Sequence, residues 1–347
     1  MHILARPAFK SRSANPYNWL LYTHMQNLGV SIDESSLERC LQNKYAIWHL
    51  HWPELPLNQK NRLKALLKIQ ALFLQMDWAR SRGTKTVWTV HNLAAHEQRH
   101  PKLEAWFWQA FTHRLDGYIS LSQAGMEAAQ ERFPQLKKLP GFVIPHGHYR
   151  EEYPDFVSAQ QARASLGIPP SAKVLLLFGR IRAYKNAAQL IQVFRQVPNP
   201  EVILYIAGYP ELPALAEELE RVAASEPRVR MHLDFVPKDR AQLYFRAADL
   251  AILPYREILN SGSAVLALTF NCPVLVPLRG ALGELQTQVG EEWVRTYAGE
   301  LIPSQIEEAL DWALHTSRPQ KAPLTALDWK ELTQQTLAAY HAIINRR

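Results

Sequence analysis

The turn from Gly179 to Lys185 contains the residues best suited to chemistry in this sequence. It reads GRIRAYK and carries three cations, Arg180, Arg182 and Lys185. A guanidinium binds two anionic oxygens as a fork and an ammonium acts as a point charge, so Arg180 and Lys185 together can hold a diphosphate. Gly179 allows the backbone to approach a ligand closely. The sequence therefore predicts an anion site here, with an ordinary basic surface turn as the alternative.

A second group consists of histidines near the ends of predicted strands in the first half. Its members are His49, His51, His91, His146 and His148. Side chains two residues apart on an extended segment lie on one side, so His49 and His51 share a face. With His91 and a carboxylate they could bind zinc, which would predict a metal-dependent hydrolase. The alternative is a set of histidines that bind backbone groups at strand edges.

Asn260, Ser261, Gly262 and Ser263 form a polar segment directly before an apolar helical run. Ser and Asn are preferred caps at helix N-termini, which is one sufficient explanation of the segment. The free N–H groups at such an end also favour anions, so the same residues could face a phosphate. The sequence leaves both interpretations open.

The basic turn is positioned by the strand and the helix on either side of it. Val174–Phe178 is an apolar run without polar alternation, which is typical of a strand buried on both faces of a parallel sheet. Apolar residues then recur at helical spacing from Ala187 to Phe194. In open α/β sheets ligands bind at the carboxyl ends of strands, which is where this turn lies.

Strand and helix signals alternate through the chain and predict an α/β fold with two Rossmann-like domains facing each other across a cleft. The predicted strands are His2–Ala5, Ala46–Leu50, Lys85–Val90, Gly117–Ser120, Phe142–Pro145, Val174–Phe178, Val202–Ala207, Val229–Leu233, Leu250–Leu253 and Val274–Val276. We place the domains at residues 1–155 and 156–327. A C-terminal helix, residues 328–347, is expected to pack back on the first domain.

The composition restricts the class of protein and its partners. Of the 347 residues 47% are hydrophobic and 20% charged, as in globular proteins. No apolar run approaches the roughly 20 residues that span a bilayer, and the N-terminus lacks a signal-peptide pattern. Cys40 and Cys272 form no disulfide framework, so a cytoplasmic setting is expected. The net charge of +7 indicates an anionic partner, and the lack of zinc-finger or RRM spacing argues against nucleic acid.

One predicted helix, residues 59–82, is both amphipathic and basic. Its cations are Lys60, Arg62, Lys64, Lys68, Arg80 and Arg82, opposed by Asp77. Such a helix can lie on an anionic membrane, with about 1 kcal/mol from each well-placed cation. This interpretation predicts peripheral attachment to the inner face of the plasma membrane. The alternative is a core helix with a solvated basic face.

Several motifs of the second half occur in an order that resembles a known family. They are FGRIRAYKN, LYIAGYPE, VRMHLDFVPKDRAQLYFRAADLAILPY, NSGSAVLALTFNCPVLVP and RGALGE. In this order and spacing they resemble the donor domain of GT-B glycosyltransferases of group 1. TVHNL and IPHGHY in the first half are similar to the acceptor-domain and linker motifs of that family. The resemblance implies the GT-B fold, with a sugar-nucleotide donor held by the second domain and the acceptor by the first.

The resemblance also implies roles for individual residues. The implied catalytic residues are His91, beside the transferred sugar, and the diphosphate-binding pair Arg180 and Lys185. The implied donor-binding residues are Gly179, Arg180, Lys185, Gly208, Val236, Glu257, Asn260, Ser261, Gly262, Ser263 and Glu284. The implied acceptor-side residues are His49, His51, Glu54 and His146. No metal or other cofactor is expected, since the two cations can stabilise the leaving diphosphate.

The chain departs from the family at a pair of glutamates that retaining members carry in this region. Glu257 lies close to the first position, and Leu266 stands where the second aligns. The stereochemical outcome is therefore open. If the reaction inverts the anomeric centre it needs a general base, for which Glu54, Glu97 and Glu257 are candidates.

The predicted function is transfer of a hexose from a nucleoside-diphosphate sugar to a hydroxyl of a glycan or lipid-linked glycan. HLHWPE and PYREILNSGS look similar to bacterial exopolysaccharide mannosyltransferases, which makes mannose one specific expectation. The first alternative is a metal-dependent hydrolase built on the histidines. The second is a non-catalytic protein that binds sugar nucleotides or glycans, which the missing second glutamate would suit.

Overall fold

The computed structural model of the protein describes residues 1–95 and 98–346. It divides into two compact units, Met1–Gly147 with Leu327–Arg347, and His148–Ala326. The division falls before the predicted boundary at residue 155, because the intervening segment bonds to the second unit. The Tyr149 N–H donates to Thr269 Oγ1 at 3.1 Å, and Arg150 Nη2 donates to Asn271 Oδ1 at 3.1 Å.

The first unit contains a parallel sheet of six strands. The strands are β1 (His2–Arg6), β2 (Ser31–Glu34), β3 (Ile47–Leu50), β4 (Lys85–Val90), β5 (Gly117–Ser120) and β6 (Gly141–Val143). The helices are α1 (Tyr17–Asn27), α2 (Leu37–Gln42), α3 (Arg62–Ser81), α4 (Pro101–Thr112) and α5 (Gln123–Arg132). The strand order is β2-β1-β3-β4-β5-β6. The sequence signals miss β2, because this short edge strand, SIDE, has a single apolar residue.

The second unit repeats this plan with another six parallel strands. They are β7 (Lys173–Phe178), β8 (Val202–Ala207), β9 (Val229–His232), β10 (Leu250–Ile252), β11 (Val274–Pro277) and β12 (Val294–Tyr297), in the order β12-β11-β10-β7-β8-β9. The helices are α6 (Ala159–Ser165), α7 (Ala187–Phe194), α8 (Pro213–Ala223), α9 (Lys238–Ala247), α10 (Gly262–Thr269), α11 (Leu282–Val289) and α12 (Pro303–His315). The apolar run of β7 is buried throughout, as the sequence predicts. The sequence signals miss β12, a half-polar edge strand.

The last helix, α13 (Trp329–Asn345), belongs to the first unit and packs against α1. Two glycines make room for its side chains. A Cβ at Gly147 would lie 2.4 Å from Trp329 Cε2, and one at Gly117 would lie 2.4 Å from Ile343 Cδ1. Since real Cβ atoms do not approach so closely, the rigid Trp329 ring requires glycine at position 147, whereas at Gly117 the flexible end of the Ile343 side chain can shift.

Candidate active site

The basic turn of the second unit begins where β7 ends. Gly179 follows the strand with a φ of +99°, and a short 3-10 turn, Ala183–Lys185, leads into α7. Lys185 is 5% exposed, and its Nζ donates to Ser263 Oγ at 3.2 Å. A Cβ on Gly179 would lie 3.4 Å from the same nitrogen. The glycine therefore keeps that side of the ammonium uncovered.

The charge of Lys185 has no counter-ion in the part of the chain that the structure describes. Burial, reinforced by the positive charge of Arg182, lowers the pKa of Lys185 to about 7. Burying a charge is unfavourable unless an opposite charge accompanies it. An incoming phosphate would supply that charge, so the environment of Lys185 is that of an anion-binding residue.

Glu211 holds both arginines of the turn. Its Oε1 lies 2.9 Å from Arg180 Nη2 and 3.1 Å from Arg182 Nη2. The Arg180 side chain is 44% exposed, so its guanidinium reaches solvent as well as Glu211. The sequence motifs do not single out Glu211. Its position three residues after Gly208, in the loop of the neighbouring strand, is the signal that could have found it.

Gly208 directly follows β8, has a φ of +141° and lies against the basic turn. A Cβ on Gly208 would lie 2.2 Å from the carbonyl oxygen of Gly179. A parallel bridge between Ile181 and Pro210 continues this contact. The absence of a side chain at Gly208 therefore lets the loops after β7 and β8 touch, and the structure brings Gly179 and Gly208 together.

The polar segment before α10 contains residues with different roles. Ser261 caps the helix, because its Oγ accepts the Ala264 N–H at 3.1 Å. Ser263, in the first turn of α10, contacts Lys185 instead. Asn260 and Gly262 lie on either side of the capping serine. Capping explains Ser261, whereas Ser263 joins the helix end to the basic turn.

Three predicted donor-binding residues lie on other loops of the second unit. Val236 is in the loop between β9 and α9, and Glu284 is in the first turn of α11. Glu257 is exposed and lines a pocket of about 430 Å³ together with Arg279. Lys185 does not line that pocket, but Asn186 does, and the N–H of Arg256, next to Glu257, donates to the Tyr184 carbonyl of the basic turn at 2.9 Å. The donor-binding roles of these residues stay predictions.

His49 lies in β3, in the interior of the first unit, and none of its surface is exposed. Its Nε2 is 2.7 Å from Thr89 Oγ1, and its Nδ1 is 2.6 Å from Tyr340 Oη and 2.9 Å from Tyr22 Oη. Both ring nitrogens are therefore engaged inside the unit. This corrects the prediction that His49 lies on the acceptor side, because its burial excludes direct contact with an acceptor.

His51 is also fully buried, and it connects His49 to His91. Its Nε2 is 2.7 Å from Tyr22 Oη, and its Nδ1 is 3.0 Å from His91 Nε2. His91 is partly exposed and stacks on Trp52 with ring centroids 4.4 Å apart. The predicted contact of His51 with an acceptor is corrected in the same way, since any effect of His51 must pass through His91.

Burial also keeps these histidines neutral. It lowers the pKa of His49 to about 3 and that of His146 to about 4, and it holds the pKa of His51 and His91 well below the usual range. His146 Nδ1 donates to the Gly147 carbonyl at 2.8 Å. Across residues 1–95 and 98–346 no group of three His, Cys, Asp or Glu side chains is arranged to hold a metal ion.

Glu54 is a buried carboxylate in the turn after β3. It is 2% exposed, and its Oε1 accepts a hydrogen bond from Asn92 Nδ2 at 2.9 Å. Burial raises the pKa of Glu54 to about 7, although the Asn92 bond acts in the opposite direction. A pKa near neutrality suits a general base. Of the other two candidates, Glu257 is exposed and Glu97 lies outside the described residues.

Comparison with known proteins identifies the family. The family model for glycosyl transferases group 1 matches residues 158–314. A GDP-mannose:glycolipid 4-beta-D-mannosyltransferase of Xanthomonas campestris pv. campestris is 30% identical over 328 residues, which cover 94% of this chain and 88% of that enzyme. The chain is a group 1 glycosyltransferase. This glycosyltransferase is also similar to D-inositol 3-phosphate glycosyltransferase 1 of Catenulispora acidiphila, at 31% identity over 53% of this chain and 47% of that enzyme.

Solved structures show the fold of the glycosyltransferase. A glycosyltransferase from Rickettsia africae has a TM-score of 0.69 at 11% identity, covering 100% of this chain and 99% of that one. HepE of Anabaena, solved in complex with UDP and glucose, has a TM-score of 0.64 at 16% identity, covering 99% of this chain and 98% of that one. The predicted GT-B fold and glycosyltransferase class are confirmed. The hydrolase and non-catalytic alternatives are not favoured.

Proposed function

We propose that this glycosyltransferase transfers mannose from GDP-mannose to a hydroxyl of a glycolipid. One observation carries the proposal of a diphosphate donor. Lys185 is buried beside Gly179 and Ser263 without a counter-ion among the described residues. The Xanthomonas enzyme, of which this chain covers 88%, supports the choice of mannose and of a glycolipid acceptor through its name.

In the proposed reaction the second unit binds the donor and the first binds the acceptor. The acceptor oxygen attacks C1 of the sugar, the bond from C1 to the diphosphate oxygen breaks, and its electron pair leaves with the diphosphate. Lys185 and Arg180 stabilise the negative charge that develops there, so we propose that no metal is needed. His91 donates a hydrogen bond to the transferred sugar. We propose that Glu54 accepts the acceptor proton through water, because at 2% exposure it is as excluded from direct contact as His49 and His51.

Nucleotide binding and transfer test the proposed function in two steps. In a thermal-shift comparison of GDP, UDP, ADP and CMP we expect GDP to raise Tm most, because GDP is the leaving group of the proposed donor. A ligand at 100 times its Kd stabilises the folded state by about 2.7 kcal/mol. GDP-mannose labelled in the sugar should then transfer its label to bacterial glycolipid. No shift with any nucleotide, or label that stays water-soluble, would contradict the proposal.

We also propose that α3 attaches the enzyme to an anionic membrane surface. One face of α3 buries Ile69, Phe73 and Met76. The opposite face exposes Leu63, Leu67, Leu74 and Trp78, whose spacing of four, seven and four residues places them in one stripe. Exposed lysines 60, 64 and 68 accompany the stripe. An apolar stripe with cations beside it matches a lipid surface with anionic headgroups.

Other observations restrict the form of this attachment. Asp77, the acid of the predicted basic helix, is paired with Arg114 at 2.8 Å and does not oppose the lysines. Among the described residues no helix combines the length and apolar content needed to cross a bilayer. The proposed attachment is therefore by α3 lying on the surface.

Flotation with vesicles tests the proposed attachment. At low salt we expect the enzyme to float with vesicles that contain anionic lipid and to remain below with neutral ones, because both cations and apolar side chains contribute. The double variant Leu67→Glu/Leu74→Glu should lose most of the floating fraction. Leu314→Glu, at an exposed leucine of α12, is the matched control and should float like the wild type. Wild-type enzyme that stays wholly soluble would contradict the proposal.

A further inference from the structure

Two tyrosine hydroxyls converge on one ring nitrogen of His49. Tyr340 Oη, from α13, lies 2.6 Å from His49 Nδ1, and Tyr22 Oη, from α1, lies 2.9 Å from it. Tyr22 Oη also lies 2.7 Å from His51 Nε2, and His51 Nδ1 lies 3.0 Å from His91 Nε2. A continuous hydrogen-bonded chain therefore runs from the C-terminal helix to His91.

All side chains of this hydrogen-bonded chain are neutral, so the positions of their protons are coupled. Burial raises the pKa of Tyr22 and Tyr340 well above the usual range and lowers the pKa of the three histidines. A hydroxyl donates one proton, and a neutral imidazole has one N–H and one lone pair. When one nitrogen of a ring accepts, the other must donate.

The shorter of the two contacts to His49 Nδ1 decides the direction in which protons are donated along the hydrogen-bonded chain. At 2.6 Å a proton must lie between Tyr340 Oη and His49 Nδ1. If Tyr340 donates it, the lone pair of His49 is filled and the Tyr22 proton is left for His51. If His49 donates it, Nδ1 has no lone pair to accept the Tyr22 proton either. The Tyr22 proton then goes to His51 again.

We infer that Tyr340 is a positioning residue that fixes the tautomer of His91. Because Tyr22 donates to Nε2 of His51, His51 carries its own proton on Nδ1 and donates to Nε2 of His91. His91 therefore carries its proton on Nδ1, which has no hydrogen-bond partner within the described residues. That N–H is the group that donates to the transferred sugar. The catalytic consequence rests on the proposed function, whereas the tautomer does not.

The phenylalanine variant of Tyr340 tests the tautomer directly. Without this hydroxyl Tyr22 is free to donate to His49. The direction of donation then reverses, so that His51 donates to Tyr22 and His91 donates to His51 from a proton on Nε2. Long-range ¹H–¹⁵N correlation spectra of the full chain labelled at histidine report the tautomer, with His91 assigned from His91→Gln. We expect Nδ1–H in the wild type and Nε2–H in Tyr340→Phe. The same tautomer in both proteins, or Nε2–H in the wild type, overturns the inference.

Turnover supplies the second measurement. We expect kcat of Tyr340→Phe to fall by about tenfold or more, with the KM for the sugar nucleotide unchanged. The upper limit is the complete loss of one preorganised hydrogen-bond donor, which costs about 100- to 1,000-fold in kcat. Tyr118→Phe is the matched control, because it removes another fully buried hydroxyl, 2.7 Å from Gln130, without touching the chain. If the His91 tautomer switches in Tyr340→Phe while kcat is unchanged, Tyr340 does fix the tautomer of His91, but His91 has no part in the proposed reaction.

A second variant keeps the inference testable if Tyr340→Phe does not fold. Tyr22→Phe interrupts the chain between His49 and His51, so the direction set by Tyr340 no longer reaches His91. We expect the His91 spectrum to show both tautomers in this variant. A single Nδ1–H tautomer, as in the wild type, would overturn the inference.

Discussion

Replacing Lys185 with alanine is expected to lower kcat/KM for the donor by about 100-fold or more. The physical reason is that a buried cation, close to the reacting phosphates and shielded from water, stabilises developing charge far more than an exposed one. Arg180→Ala is the comparison, and we expect a smaller loss because the Arg180 side chain is 44% exposed and shared with Glu211. Steady-state kinetics with GDP-mannose measure both. A near-wild-type rate for Lys185→Ala would contradict the assigned diphosphate site.

The pH dependence of donor binding follows from the same residue. The pKa of Lys185 is about 7 in the free protein, and a bound diphosphate raises it. Below pH 7 the ammonium is charged both before and after binding, so Lys185 contributes no pH dependence to the affinity. Above pH 7 binding must take up a proton, and affinity falls by up to about tenfold per pH unit. Burial and the neighbouring positive charge of Arg182 set this pKa, and Ser263 is the hydrogen-bond partner of the ammonium.

Calorimetric titration with GDP between pH 6 and 9 checks this dependence. Proton uptake from the buffer should accompany binding above pH 7. Lys185→Ala should bind weakly with no such pH dependence, because the titrating group is gone. The same pH dependence in wild type and variant would assign it to another group.

Gly208→Ala is expected to destabilise the second unit by about 3 kcal/mol and to weaken donor binding at least tenfold. The added Cβ would lie 2.2 Å from the Gly179 carbonyl oxygen, a backbone atom that cannot move without displacing the basic turn. The φ of +141° adds strain for any residue with a side chain. Urea denaturation and GDP titration measure the two effects.

Gly167→Ala separates backbone strain from the steric clash. Gly167 also has a positive φ, +63°, but nothing lies within 4 Å of its Cβ position. We expect a loss of about 1 kcal/mol, due to strain alone, and unchanged GDP affinity. Equal losses for Gly167→Ala and Gly208→Ala would show that contact between the loops after β7 and β8 does not matter.

The sequence predicted the parts of this protein that local pattern determines. A strand buried on both faces must be apolar at every position, so β7 was recognisable from its own residues. The half-polar edge strands β2 and β12 were not, because an edge strand gains its partner from elsewhere in the chain. The basic turn was found because a strand, a glycine and several cations occur together within a few residues.

Side chains distant in sequence were assembled only by the tertiary structure. Tyr340 reaches His49 across 291 positions, and Lys185 meets Ser263 across 78. No spacing rule connects such pairs, since α13 and α10 are brought to them by packing. For the same reason the sequence placed His49 and His51 on the acceptor side, whereas packing buries both.

By itself the sequence determined the two βα series, the family and the cationic turn, because these depend on residues that are neighbours along the chain. Tertiary structure decided which histidine is accessible, which lysine lacks a counter-ion among the described residues and which carboxylate is buried. Those properties depend on desolvation by side chains far away in sequence, and desolvation is what sets the pKa of Lys185, Glu54 and His91.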